Sequence, residues 1–206
     1  YVQLYLLIYF YFWFIGITKG VNLKRLIDIL LSISFLIIFS PLLLIISIII
    51  KLDSKGSIIF VSTRVGINNT KFKMYKFRTM YENTEIVETA KLQNNYSKIT
   101  SFGKILRKYS MDELPQFFCV IIGTMSIVGP RPALIDQTDL INKRIEFGID
   151  RLKPGITGYA QINGRDLISD DKKLEYEKEY LIKKNFFFDL MIILKTIKVV
   201  ITKKDV

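Results

Sequence analysis

Histidine is missing from the whole 206-residue sequence, and cysteine occurs only once, as Cys119. Without histidine, neither a Ser-His-Asp nor a Cys-His catalytic arrangement can be built. One cysteine excludes an internal disulfide and fits a reducing compartment. With no histidine beside it, it also argues against a protein zinc site. Acid–base, nucleophilic or metal-binding work therefore falls mainly to carboxylates. A cation held by carboxylates and substrate phosphates would be a hard one such as Mg2+. Charge is also scarce in one region: before residue 51 only Lys19, Lys24, Arg25 and Asp28 carry it.

What is present is sorted by position. Half the residues are hydrophobic, yet the net charge is +11. Residues 1–50 contribute +2 and the other 156 residues +9, so an oily N-terminal part joins a basic, water-facing part. A basic surface beside a membrane segment suits anionic lipid head groups, phosphorylated substrates or nucleic acid. No nucleic-acid recognition motif is present, so no nucleic-acid partner is expected. Surplus lysine on a solvated surface accounts for much of the lysine count, but less well for arginines set among glycines and prolines.

Residues 1–20 read as an extra N-terminal hydrophobic segment. The run YVQLYLLIYFYFWFIGI is uncharged and just long enough to be a transmembrane helix at ~1.5 Å per residue. It has no basic start and no small-residue cleavage site, unlike a signal peptide. Lys19, Lys24 and Arg25 then favour the cytoplasmic side. Residues 21–52 form a second membrane segment, uncharged from Ile29 to Ile50 and interrupted by Ser40-Pro41. Proline inside a helix removes a backbone hydrogen bond and bends it. Basic residues flank both ends of the run: Lys24 and Arg25 before it, and Lys51, Lys55 and Arg64 after it. From the residues alone, a kinked spanning helix and a helix that turns back at the proline both fit.

Residues 53–206 read as a cytosolic domain. The strand SIIFVSTRVG, a turn at Ile67 to Thr70 and the return KFKMYKFRT predict a β-hairpin over 57–79. Residues 81–99 are polar and expected as a helix with a loop. Helices are expected over about 103–109, 114–122, 134–147 and 171–184. Phe186 to Ile201, apolar with Lys195 and Lys198 interleaved, suits either an amphipathic helix on a membrane surface or a buried core helix. The class is α+β, mainly helical.

Four blocks carry the chemistry. In Ser110-Met111-Asp112-Glu113-Leu114-Pro115-Gln116, Ser110 and Glu113 have capping-box spacing. Pro115 is better placed at a first helical position, which leaves Asp112 and Glu113 just before a helix N-terminus. Two acids there would repel phosphate unless a cation intervenes or a carboxylate attacks phosphorus. Gly129-Pro130-Arg131-Pro132 sets Arg131 on a stiff loop suited to phosphate. Lys153-Pro154-Gly155-Ile156-Thr157-Gly158 continues to Asn163-Gly164-Arg165, its glycines permitting close approach of backbone to a ligand. Lys76-Phe77-Arg78-Thr79-Met80 completes the set, though alone it reads as an ordinary strand end.

In this order and at these intervals, the blocks over about residues 22–201 resemble the bacterial sugar transferases. These are monotopic phosphoglycosyl transferases that start polysaccharide and glycoconjugate assembly. The resemblance implies a re-entrant membrane helix broken at Ser40-Pro41, with both ends on the cytoplasmic face of the inner membrane. It implies transfer of a sugar 1-phosphate from a UDP-sugar to polyprenyl phosphate, with UMP released and Mg2+ required. Asp112 would be the nucleophile of a covalent phosphosugar intermediate. Glu113 would support the metal or orient Asp112. Arg107, Arg131 and Arg165 would contact phosphate, with Arg78 as a fourth. Membrane lipids are implied partners, and a homo-oligomer stays open. Ser62, Cys119, Thr124 and Lys153 depart from the family's usual glutamine, asparagine, acidic residue and arginine. The rival class is a non-catalytic membrane scaffold that binds anionic lipids and partner glycosyltransferases; it would not need both acids among three motif arginines.

Overall fold

A computed structural model describes residues 23–82, 98–164 and 168–202. The hydrophobic segment 1–20, most of the polar stretch 81–99, and Arg165 lie outside the described residues. The rest is mostly helical, with two small two-stranded sheets.

The apolar run forms two helices, α1 (Leu23–Ile38) and α2 (Ser40–Asp53), bent by 63° at their junction. Local chemistry explains the break. Pro41 has no N–H to give to the Ile37 carbonyl, and the Ser40 hydroxyl donates to that oxygen instead, at 2.8 Å. Among the described residues no single helix is long and apolar enough to cross a membrane; the bent pair meets that test only together. α1 is inside out for a water-soluble helix. Asp28 and Ser32 are its buried residues, while Leu23, Leu26, Leu30, Leu31, Ile33, Ile37 and Ile38 are exposed. Asp28 accepts from the Ser126 hydroxyl at 2.6 Å, which satisfies a carboxylate that is almost fully buried. The last part of α2 turns inward, and Ile46 and Ile50 pack with Phe77 and Leu106.

The expected hairpin is present. β1 (Ile59–Val65) and β2 (Lys71–Phe77) pair antiparallel, with Ile59 opposite Phe77 and Val65 opposite Lys71. A 3-10 turn, Ile67–Asn69, joins them, with Asn68 and Asn69 both at positive φ. Asparagine is among the few residues that visit this region routinely. Alternation buries Phe72 and Met74 and leaves Lys71 and Lys73 in solvent.

Helix α3 (Ser101–Lys108) starts two residues before its expected position because the Thr100 hydroxyl accepts the Gly103 N–H, an N-cap. The capping box is not made. Ser110 adopts a left-handed conformation with no side-chain cap bond, and the Glu113 N–H meets the Ser110 backbone carbonyl at 3.2 Å. Met111–Glu113 is therefore a 3-10 turn, and α4 (Gln116–Ile122) begins after Pro115 rather than at Leu114. Arg25 of α1 donates to the Val120 and Ile121 carbonyls at the far end of α4, at 2.5 and 2.9 Å. Phe35 stacks on Phe117 with ring centroids 4.1 Å apart. Two points of contact thus clamp α4 along α1.

One feature was not expected: β3 (Ser126–Val128) pairs parallel with β4 (Gly155–Thr157). The glycines expected to admit a ligand admit backbone instead. A Cβ on Gly155 would collide with Gly129, and one on Gly158 would do the same. This close approach joins the loop after β3, which carries Pro130-Arg131-Pro132, to the Gly155 block. Helix α5 (Thr138–Glu146), the short α6 (Tyr159–Ile162) and α7 (Asp170–Lys183) follow. A buried Arg144–Glu177 ion pair links α5 to α7. The last helix, α8 (Phe186–Ile201), combines both readings of its sequence. Ile192 is fully buried in the main core, while Phe187, Leu194 and Ile197 are exposed. Asp189 of α8 takes hydrogen bonds from Tyr180 and from Lys24 of α1, tying the first and last described helices together.

Candidate active site

Three elements converge on the carboxylate turn. Strand β2 brings Lys76, the turn itself presents Asp112 and Glu113, and the Pro-Arg-Pro loop delivers Arg131. The Lys76 ammonium donates to Glu113 Oε1 at 2.6 Å and lies 4.0 Å from Asp112 Oδ2. Arg131 Nη1 is 3.5 Å from the same Glu113 oxygen. From the last turn of α3, Arg107 donates through Nε to the buried Thr79 hydroxyl at 2.8 Å. That bond orients its guanidinium from the side of the β2 end.

Asp112 is only 9% exposed. Burial pushes its carboxyl above the ordinary carboxylate range, because the charged form loses water. Lys76 opposes this most strongly, the Glu113 charge reinforces it, and Arg107 and Arg131 also oppose it. The competition defines the site: burial disfavours the charged acid, and three cations offset part of that effect. Perturbed groups of this kind concentrate where chemistry is done.

The expected residues are not all brought together. Asp112, Glu113, Arg107 and Arg131 share the site. Arg165 lies outside the described residues. Arg78 is placed elsewhere: 6% exposed, it donates through Nη2 to the Ser54 carbonyl and hydroxyl at 2.7 and 2.9 Å, and to Ile50 O at 3.4 Å. These acceptors close the C-terminal end of α2, so Arg78 fastens the bent pair to the hairpin. Its Nε and Nη1 are buried with no hydrogen-bond partner among the described residues. Lys76 is missing from the residues expected to contact ligand, although it opens one of the four motifs. A lysine near the end of an amphipathic strand reads as solvent-facing. Only its position beside an arginine in the same motif distinguishes it.

Ser40 and Pro41 sit at the helix bend. The departures from the family pattern have structural uses. Ser62 is buried and accepts from Arg64 Nε at 3.3 Å, Cys119 is fully buried in the core, and the Thr124 hydroxyl donates to the Cys119 carbonyl at 3.1 Å. Lys153 lies near Arg25, and burial and that like charge pull its ammonium below the ordinary lysine range.

A family model described as bacterial sugar transferase matches residues 19–203. A UDP-N-acetylgalactosamine-undecaprenyl-phosphate N-acetylgalactosaminephosphotransferase of Aeromonas hydrophila is 39% identical over 185 residues, covering 87% of this chain and 44% of that protein. A UDP-glucose:undecaprenyl-phosphate glucose-1-phosphate transferase of Escherichia coli K12 is 41% identical over 190 residues, covering 87% and 40%. The exopolysaccharide production protein ExoY of Rhizobium meliloti is 38% identical over 193 residues, covering 86% and 84%. The chain thus spans less than half the length of the first two relatives and most of the third.

Proposed function

The chain belongs to the bacterial sugar transferase family, and from that premise we propose that it transfers a sugar 1-phosphate from a UDP-sugar to polyprenyl phosphate. Undecaprenyl phosphate, named in two of these relatives, is the acceptor by analogy. The reaction would open assembly of a bacterial polysaccharide or glycoconjugate.

The observation that carries this reading is the buried Asp112 held among Lys76, Arg107 and Arg131. In the first step an Asp112 carboxylate oxygen attacks the β-phosphorus of the donor. The bond from that phosphorus to the bridging oxygen breaks, and UMP leaves with the electron pair. In the second step an oxygen of polyprenyl phosphate attacks the same phosphorus. The aspartyl P–O bond breaks, the Asp112 carboxylate is restored, and a polyprenyl diphosphosugar forms. Attacking and leaving oxygens are all anionic, so neither step needs a proton donor, and a site without histidine suffices. The demand is electrostatic. Lys76 opposes the neutralising effect of burial on Asp112, while Arg107 and Arg131 would face the charge that develops on the transferred phosphoryl group. Glu113, held by Lys76 and Arg131, fixes those two cations in place.

The donor set suits Mg2+. Asp112 and Glu113 offer hard oxygens, and the described residues contain no larger group of potential metal ligands. Mg2+ commonly takes one or two carboxylates and completes its shell with water and substrate phosphates. When bound, it would neutralise diphosphate charge beside Asp112. The bent α1–α2 pair, with hydrocarbon outside and Asp28 inside, supports a re-entrant helix whose two ends share the cytoplasmic face of the inner membrane. The exposed apolar edge of α8 would lie along the same surface and keep the site at the depth of a lipid phosphate.

The test is transfer and UMP release by the full chain in lipid nanodiscs, comparing wild type with Asp112→Asn. Wild type should release UMP and form lipid-linked sugar, and the variant should do neither while remaining membrane-bound. Turnover retained by the variant would remove Asp112 from the nucleophile role.

A further inference from the structure

Of the three cations around Asp112, Lys76 stands on β2 and Arg107 on α3, whereas Arg131 stands on a loop. A group on a loop is held less precisely than one on a helix or strand unless other residues fix it. Arg131 must also reach to within 3.5 Å of Glu113 from the far end of a long side chain. We propose that Arg144 and Glu177 are the positioning residues for Arg131, aiming its guanidinium at the transferred phosphoryl group. The inference rests on the transferase reading and adds what sets the aim of one of its cations.

The loop is anchored on both sides of Arg131 by its own backbone. The Gly129 N–H donates to Thr157 O at 2.9 Å, Pro130 O accepts from the Gly155 N–H at 2.8 Å, and Ala133 O accepts from the Val65 N–H at 3.0 Å. At Arg131 itself the bond comes from a side chain: Arg144 Nη2 donates to its carbonyl at 3.0 Å. Pro132 already biases Arg131 toward an extended backbone. The added bond fixes the peptide plane that follows it. An error in that plane would swing the whole arginine, and a misplacement of about 1 Å can cost on the order of 10² in rate.

Arg144 can act this way because it is itself immobilised. Arg144 is 8% exposed and Glu177 2%. Arg144 Nε donates to Glu177 Oε2 at 2.8 Å, and Nη2 donates to Oε1 as well as to the loop. The two hydrogens of Nη2 are thus divided between the carboxylate and the Arg131 carbonyl. Stability alone does not call for this arrangement, since a buried salt bridge is often no more stabilising than apolar residues of similar volume. Apolar side chains here would still join α5 to α7, but would leave the Arg131 carbonyl without its donor. A lysine would keep the charge and lose the planar fork.

The experiment measures UMP release by the full chain in nanodiscs, with a UDP-sugar that wild type turns over, chosen from a panel. It compares wild type, the double variant Arg144→Met with Glu177→Leu, Arg144→Lys, Arg131→Met, and Arg131→Met combined with each of the other two. Arg131→Met should lower kcat by on the order of 10²–10³. The double variant should keep its thermal midpoint and lose about 10–10² in kcat, with Arg144→Lys between it and wild type. In the Arg131→Met background, neither change should alter kcat by more than about twofold. A pair that only holds the fold together would lower kcat by the same factor with or without Arg131. That result, or a folded double variant with wild-type kcat, overturns the proposal. If the double variant does not fold, Arg144→Lys carries the same comparison. An Arg131→Met variant with wild-type kcat also overturns it, and leaves the assignment of Asp112 standing. A wild type that turns over no UDP-sugar of the panel overturns the transferase reading and the proposal with it.

Discussion

The bent helix pair and the carboxylate turn break the same folding rule in opposite directions. Helix α1 hides Asp28 and Ser32 and exposes its leucines and isoleucines, whereas the turn buries Asp112 with Glu113 beside it. Exposed hydrocarbon costs roughly 25 cal/mol per Å2 in water, and a buried carboxylate costs more unless cations surround it. The difference teaches what each region is built to meet. An inverted helix suits lipid tails, and an acid caged by cations suits a phosphoryl group. The two regions are also joined. Phe35 of α1 stacks on Phe117 of α4, immediately after the turn, and Arg78 fastens the end of α2 two residues beyond Lys76. The orientation of the bent pair therefore fixes the orientation of the site.

The largest effect that would sharpen this contrast is expected at Lys76. Lys76→Met should lower transfer by on the order of 10²–10³, the loss typical of one preorganised charge, while Lys76→Arg retains part of the rate. The pH profile gives the sign. With Asp112 as the proposed nucleophile, activity should fall as pH drops through its raised pKa. Lys76 opposes that rise, so removing it moves the acid limb to higher pH. A variant slowed equally at every pH would show that Lys76 acts by geometry alone.

A smaller effect, confined to the other region, should follow from Leu30→Ser, Ile37→Ser and Leu44→Ser together. Each removes an exposed apolar side chain worth about 1.5–3 kcal/mol when buried in lipid. The bound fraction in vesicle flotation should therefore fall at least about tenfold, with thermal stability in detergent unchanged. Lost thermal stability with normal flotation would mean that these side chains serve the protein interior. The smallest effect is expected at Arg78, where the regions meet. Arg78→Met should lower stability by about 1–3 kcal/mol in chemical denaturation, because carbonyls at the end of α2 lose their donor. Turnover per folded molecule should stay within a few-fold of wild type. Normal stability with lost turnover would return Arg78 to the phosphate.

Much of this was legible because the signals are local. The break at Ser40-Pro41 follows from a missing N–H, the hairpin from alternation around an Asn-Asn turn, and the adjacency of Asp112 and Glu113 from the chain itself. The less legible parts depend on contacts between distant segments. Three-residue strands such as β3 and β4 carry no readable period, and their pairing brings together residues about thirty positions apart. Gly155 and Gly158 read as ligand-facing, yet they meet Gly129. Arg78 and Arg131 look alike in sequence, because a guanidinium suits carbonyls at a helix end as well as phosphate. Lys76 reads as solvated until the turn is folded against it. The burial that perturbs Asp112 is likewise a property of the assembled site.

The central claim is that Asp112 forms a covalent bond to phosphorus. Its most direct test is intact-protein and peptide mass spectrometry of the full chain after incubation with Mg2+ and a UDP-sugar, without polyprenyl phosphate. The account predicts a sugar-phosphate adduct on the peptide carrying Asp112, equimolar release of UMP, and loss of the adduct once polyprenyl phosphate is added. Transfer that proceeds only with donor and acceptor present together, with no adduct at any time, would contradict it.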